Sequence, residues 1–331
     1  MGHPSKKRGA PILFSERAML KYTIRRMIYV LPTLWAVVTF VFFLIRIVPG
    51  GPAVAALGSY ATEESIRQLE KQMGLDKPIL VQYGKFLKDL CQEDLGKSLI
   101  TNKPISQEIA RALPYTLDLA IGGMIIGILL GIPTGILTAL KRNRPPDYIG
   151  RILSLIGISM PEFYLGILLM YILAIKLQLF PVLGGGDLSH LGSRLYHLFL
   201  PALTLGIIMT AFISRMVRSS MLNVLKEDYV RTAKAKGLHE RVVIYKHALR
   251  NALIPTVTVI GIYMSILMGG SVLTEIIFSR PGLGKMMVFA VKDRDYIALQ
   301  SVIIIFSAFV FLFNLLTDLL YGMIDPRIEY R

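Results

Sequence analysis

The chain has 331 residues, 53% hydrophobic and 18% charged, and carries a formal net charge of +15. Soluble domains carry about a quarter charged residues, so the low charge and long apolar runs exclude an ordinary soluble enzyme and make lipid the solvent for much of the chain. A single cysteine, Cys91, excludes an internal disulfide and a Cys-based zinc site.

Residues 1–26 are basic and have no small-residue cleavage site, and the apolar run after them is too long for a signal peptide. It reads as a retained first span. A spanning helix needs about 20 mostly apolar residues. Six stretches qualify: Met27–Val48, Leu113–Leu140, Ile149–Ile175, Leu198–Val217, Ile254–Phe278 and Ile297–Tyr321. Backbone groups in lipid must bond within their own segment, so each is expected to be a helix. Glycines such as Gly123, Gly127, Gly131 and Gly206 allow these helices to approach closely. The fold class is therefore all-α, with residues 27–331 as one membrane domain.

Between the first two spans lies an outer segment, about residues 50–112, too long for a plain loop. Thr62 is placed to cap a helix over Glu63–Met73, and Gly74 to end it. Pro78 is placed to start a second helix reaching about Leu90.

The cations decide orientation. Lys6, Lys7, Arg8, Arg17, Lys21, Arg25 and Arg26 crowd the head. Lys141, Arg142 and Arg144 follow span two. Arg215, Arg218, Lys226, Arg231, Lys234, Lys236, Arg241, Lys246 and Arg250 surround the loop after span four. Alternate loops of a six-span chain share one side, and positive charge marks the cytoplasm. Both termini are expected there, in the cell membrane. The net charge is thus a topology signal, and no nucleic acid is expected as a partner.

The cytoplasmic loop over about residues 218–253 contains EDYVRTAKAKGLHERVVIYKHALRNALIP. It is helix-prone at both ends and broken at Gly237, which suits a left-handed helix stop. That predicts a short helix over Asp228–Lys236, a turn, and a helix entering span five. On residues alone, a basic segment resting on anionic lipid and a helix docked in a partner's groove both remain open.

Polar groups inside spans are costly and mark candidate functional positions. Glu162 follows Pro161 near the middle of span three, where the proline frees a carbonyl near Gly157. The pair, with Asn314 of span six, forms the candidate pathway set, weighed against a carboxyl merely bonded to a neighbouring helix. Asn314 and Asp318 share a face one turn apart, with Asp318 expected to bond a basic loop residue. Arg46, Asp118 and Glu275 stand near outer span ends and are expected to snorkel to water. Gly96-Lys97-Ser98 matches the end of a phosphate-binding loop, but Cys91 stands where a glycine is required and no strand precedes it. No catalytic constellation, cofactor site or metal site is expected.

The loop segment resembles the EAA coupling loop of ABC-importer permeases, with Arg231-Thr232-Ala233 at the Glu-Ala-Ala position and Gly237 at the invariant glycine. The family's Ile-x-Leu-Pro continuation is here His247-Ala248-Leu249-Arg250, without the proline. The form DYVRTAKAKG is similar to the dipeptide/oligopeptide/nickel branch, in its type with a long first outer loop. RIVPGGP, DLGKSL, IARALPYTLDLA, FPVLGG, HLFLPALTLG, FSRPGLGK and NLLTDLLYGMIDPRIEY follow the same branch in order, with Arg280 where the family often has an aromatic. The resemblance implies a non-enzymatic permease in which Asp228, Arg231, Thr232, Ala233, Lys236 and Gly237 meet an ATPase cleft. It implies four kinds of partner: a second homologous permease, two ATP-binding subunits, an extracytoplasmic solute-binding protein and a peptide substrate. Nickel chelates or oligosaccharides are the alternative cargo. A secondary transporter is the rival class, but it calls for inverted repeats and dense membrane carboxylates, and neither is visible.

Overall fold

The computed structural model describes residues 16–47, 51–57 and 62–324. The head before residue 16 and the tail after 324, including the DPRIEY end, lie outside them. The helices are α1 (Glu16–Ile47), α2 (Gly51–Leu57), α3 (Glu63–Met73), α4 (Ile79–Cys91), α5 (Ile105–Leu140), α6 (Pro145–Ser159), α7 (Glu162–Leu169), α8 (Leu191–Val224), α9 (Asp228–Ala235), α10 (Glu240–Val242), α11 (Arg250–Ile277), α12 (Leu283–Lys292) and α13 (Tyr296–Ile324). Two π-helical stretches, Met170–Lys176 and Val243–Leu249, continue α7 and lead into α11. Among the described residues the fold is all-α, as expected, with one isolated bridge between Lys97 and Pro104.

Five helical stretches are long and apolar enough to cross a membrane, and α6 with α7 makes a sixth. This sixth span is not the continuous helix expected over Ile149–Ile175. It breaks at Met160 and Pro161 and bends by 108°. Proline supplies no N–H and disfavours helical geometry in the residue before it, and Met160 is extended at ψ 129. The halves nevertheless reach opposite ends of the bundle. Asp147 at the base of α6 bonds Arg218 late in α8, whereas Gly186 beyond the π stretch accepts from Tyr115 near the start of α5.

The main seam joins α5 to α8. Gly123, Gly127, Gly131 and Gly135 recur every four residues and make one ridge. A Cβ there would lie 2.9, 2.5, 2.7 and 2.6 Å from Leu205, Met209, Ile213 and Val217. Non-bonded carbons keep about 3.5–4 Å, so only glycine permits this approach. In lipid, such backbone-close dispersion contacts take the place of the hydrophobic effect between helices.

In the outer segment, Thr62 caps α3 reciprocally with Ser65, and Gly74 ends it in a left-handed conformation, as expected. Against α1, Tyr83 of α4 bonds Thr39 at 2.6 Å, and Phe42 packs on Tyr83 and Phe86. Arg46 does not snorkel freely. Its Nε donates to Gln82 at 2.9 Å and its guanidinium lies 3.5 Å from the Phe42 ring centre. Helices α2 and α12 are additions to the sequence reading. Helix α5 begins at Ile105 rather than Leu113, and α8 runs Leu191–Val224 rather than Leu198–Val217.

Candidate functional site

Helix α9 lies as the sequence predicts. Asp228 opens it, Lys236 caps it, and Gly237 takes φ +75. Gly237 N–H donates to Lys234 O at 2.9 Å and Leu238 N–H to Ala233 O at 3.4 Å. This is the paired closure that a left-handed residue makes at a helix end. Val230 and Ala233 are buried against Val243, with Val224 and Leu225 of the α8 end beside them. Ala233 therefore faces the chain's own core, contrary to its expected packing against a partner cleft: α9 needs an apolar face to stay seated, and Val230 and Ala233 supply it at i, i+3 spacing. The opposite face leaves Asp228, Arg231, Thr232, Lys234 and Lys236 exposed. Arg231 and Asp228 pair loosely at 3.6 Å in solvent.

Glu162 opens α7 just past the break, half-buried. Thr274 of α11 donates to its Oε1 at 2.5 Å. Gly270 faces Glu162 so closely that an added Cβ would collide with the carboxylate. Pro161 is exposed at the bend. Asn314 stands apart from this pair: Ser265 of α11 donates to its Oδ1, joining α11 to α13. The side chain of Asp318 lies outside the described residues.

At the bundle end away from α9, Glu275 and Asp118 do not reach for water. Glu275 is fully buried. Thr116 donates to its Oε1 at 2.6 Å and Lys285 N–H to its Oε2 at 3.0 Å, while Leu283 N–H donates to Thr116 at 2.8 Å. The carboxylate thus serves the orphan donors at the start of α12. Arg194 grips Asp118 with bonds of 2.6 and 2.5 Å. Arg280, also fully buried, donates to Tyr115 O at 3.2 Å and reaches Asp118 at 3.5 Å. Its Nη1 has no hydrogen-bond partner among the described residues. Burial lowers the Arg280 pKa from its ordinary value, opposed by Asp118 and Glu275. Nearby, Ser98 donates to Asp295 at 2.5 Å. The Gly96-Lys97-Ser98 turn is thus a structural joint to the α12–α13 corner.

The segments that meet here bear three of the motifs named above, IARALPYTLDLA, FPVLGG and FSRPGLGK. Residues 131–330 match the family of binding-protein-dependent transport system inner membrane components, and residues 19–120 match the family describing the N-terminal part of such components. This chain belongs to that family. It is 43% identical over 333 residues to the dipeptide transport system permease protein DppB of Alkalihalophilus pseudofirmus, covering 94% of this chain and 100% of that one. It is 41% identical over 313 residues to the glutathione transport system permease protein GsiC of Pectobacterium atrosepticum, covering 95% and 100%. Among solved structures it is similar to a chain of the MetNI methionine ABC transporter in inward facing conformations. The TM-score is 0.55 at 18% identity, over 67% of this chain and 99% of that chain, a likeness of fold. The chain is therefore a multi-pass membrane permease component.

Several residues of these sites escape sequence reasoning. Thr274, Gly270, Thr116 and Arg194 carry no local signal until partners distant in sequence arrive. Asp147 carried a signal: it is the lone acid in the run KRNRPPD. Its carboxylate is fully buried and forked by Arg218 at 2.7 and 2.9 Å.

Proposed function

We propose that this chain forms half of the pathway of an ATP-driven peptide importer, with α9 docking in a cleft of a separate ATPase subunit. The observation that carries this reading is a short helix outside the spans, seated by a buried apolar face and closed by a left-handed glycine, whose Asp228, Arg231, Thr232, Lys234 and Lys236 are exposed. Such a helix transmits a push: its seat is on the α8 end and on the π stretch entering α11, so displacement reaches two spans. The Lys/Arg asymmetry supports a cytoplasmic position for this end and both termini; the opposite, sealed end, where Glu275 and Arg280 are buried, would then lie outside with α3 and α4, where a solute-binding protein would deliver cargo. A homologous permease would complete the pathway, lined in this chain by Pro161 and Glu162. Peptide cargo is supported by the names of the relatives, a dipeptide and a glutathione permease, and by the match to the peptide branch.

The test is the complex reconstituted with ATPase subunits and binding protein. Gly237→Val forces a β-branched residue into positive φ, a strain of about 1–3 kcal/mol, in open space where no clash adds to it. The expected outcome is intact membrane insertion with loss of ATPase retention or of ATP-dependent uptake. Normal uptake with normal retention overturns the reading. A lipid anchor predicts instead a graded loss as cations are removed. Thiol labels placed near Arg142 and Lys234 should react only from the cytoplasm, and near Gly185 only from outside. Reaction of the Gly185 and Lys234 sites from one side overturns the orientation. Glu162→Gln should leave assembly intact and change uptake; normal uptake with both Gln and Leu there removes Glu162 from the pathway.

A further inference from the structure

Helix α6 has two features that the docking of α9 does not use. At its base, Asp147 is fully buried and held by both arms of the Arg218 guanidinium, at 2.7 and 2.9 Å. Asn143 N–H donates to the same carboxylate at 2.9 Å, and Arg151 lies 3.6 Å away. At its top the chain breaks at Met160 and Pro161, and Glu162 follows at once.

The contacts along α6 are of another kind. Gly150 abuts Thr138 of α5, and Gly157 faces Ala211 of α8. Small-residue van der Waals contacts hold two helices close, but they let one slide along the other at little cost, as in shear motions. A bidentate ion pair on a fully buried carboxylate resists sliding: an axial shift strains two charge-assisted bonds at once. Arg218 lies six residues before Val224, where the α9 seat begins, about 9 Å along an unbroken helix. From Asp147 to Ser159, the last residue before the break, is twelve residues, about 18 Å at the same rise.

We infer that the Asp147–Arg218 fork is a positioning device that locks the base of α6 to the α8 end, so that displacement of α9 is delivered to the break at Met160–Pro161 and moves Glu162. This rests on the proposed docking of α9. The fork makes α9, the α8 end and α6 one body; the break is where α7 turns relative to it. Asp147 and Arg218 touch neither cargo nor nucleotide. Their work is to convert sliding at the α6 surface into rotation at the hinge.

The experiment uses the full complex, free of native cysteines (Cys91→Ser in this chain), with pairs of spin labels whose distance is measured with and without a trapped ATP analogue. Labels go on exposed positions: Lys234→Cys on α9, Leu153→Cys on α6, Phe163→Cys on α7 and Leu129→Cys on α5 as reference. The expected result is that 234–129 and 153–163 change by about 1–2 Å or more, the size of helix shifts at such contacts, while 153–234 stays constant. Asp147→Asn should abolish that constancy. It should also lower substrate transported per ATP hydrolysed by roughly tenfold, within ordinary coupling ranges, with ATPase subunits retained. A merely structural role would lower assembly and leave that ratio alone. The inference is overturned if 153–234 changes without any substitution at residue 147, or if Asp147→Asn leaves both the constancy and the ratio intact. If Asp147→Asn fails to assemble, the distances in the Asp147 protein decide alone. A static 234–129 distance refutes the docking of α9 itself, and this inference with it.

Discussion

The two ends of the bundle spend their charges in opposite ways. At the sealed end, Glu275 and Arg280 are fully buried, Asp118 nearly so, and Arg194 is partly covered, tied to loops distant in sequence. At the α9 end, Asp228, Arg231, Lys234 and Lys236 stand in solvent on a helix seated by a small apolar cluster around Val230, Ala233 and Val243. Charge taken out of water must be bonded within the chain, which makes a closed structure. Charge left in water costs nothing and remains available to another molecule. The comparison assigns stability to one end and leaves the charges of the other open to solvent, and it can be broken at either.

The largest expected effect is at Glu275. Glu275→Ala removes the acceptor for Thr116 and for Lys285 N–H, opens a cavity and deprives Arg280 of a neighbouring negative charge. Loss of one member of a buried charge network costs about 3–5 kcal/mol, read as a lower thermal midpoint of the purified subunit. A midpoint equal to that of the parent chain would mean the end is not held by this carboxylate. Next come the two arginines, which should differ. Arg194→Met leaves Asp118 only the 3.5 Å contact to Arg280 and should destabilise by about 2 kcal/mol, below the cost for a fully buried pair. Arg280→Met removes a guanidinium with an unpartnered Nη1 and leaves Asp118 with its short bonds to Arg194. It should therefore cost less than Arg194→Met, since a buried charge left without a partner is what makes loss of one member of a pair expensive. Equal losses at both positions would show that Arg280 is as well bonded as Arg194.

The same contrast explains what could be read from the sequence. The α9 end was legible because its signals are local: the helix-prone run from Asp228, the stop at Gly237, the cations of the flanking loop. The cap of α3 by Thr62 was legible for the same reason. The direction of Ala233 was not, since a small residue suits a partner's cleft and the chain's own core equally well. The sealed end was misread as snorkelling side chains because its bonds join residues far apart: Thr116 to Glu275, Arg194 to Asp118, Ser98 to Asp295. Pro161 announced a disturbance in span three, but a proline kink and a 108° break have the same local sequence. Helix α12 is short and amphipathic, and its N-terminus is held by a carboxylate from α11, so nothing in its own residues marked it.

The smallest expected effect on stability is the most informative about function. Arg231→Ala removes an exposed side chain whose one recorded ion pair, to Asp228 at 3.6 Å, is open to solvent on both sides. Exposed pairs of this kind contribute about 0–1 kcal/mol, and surface substitutions away from buried features usually stay within about 0.5 kcal/mol. The subunit should therefore unfold at an unchanged midpoint, and α9 should keep its seat because Val230 and Ala233 are untouched. Ala233→Glu is the contrasting probe: it drives a charge into that seat, so it should unseat α9 and lower the midpoint before any partner is considered. If the exposed face is the recognition surface, Arg231→Ala should weaken retention of the ATPase subunits although it changes nothing in the isolated chain. That loss should grow with ionic strength, since salt screens the remaining exposed charges of α9. Unchanged retention across the salt series, alongside a clear loss with Ala233→Glu, would place recognition in the shape of the seated helix and not in its charged face.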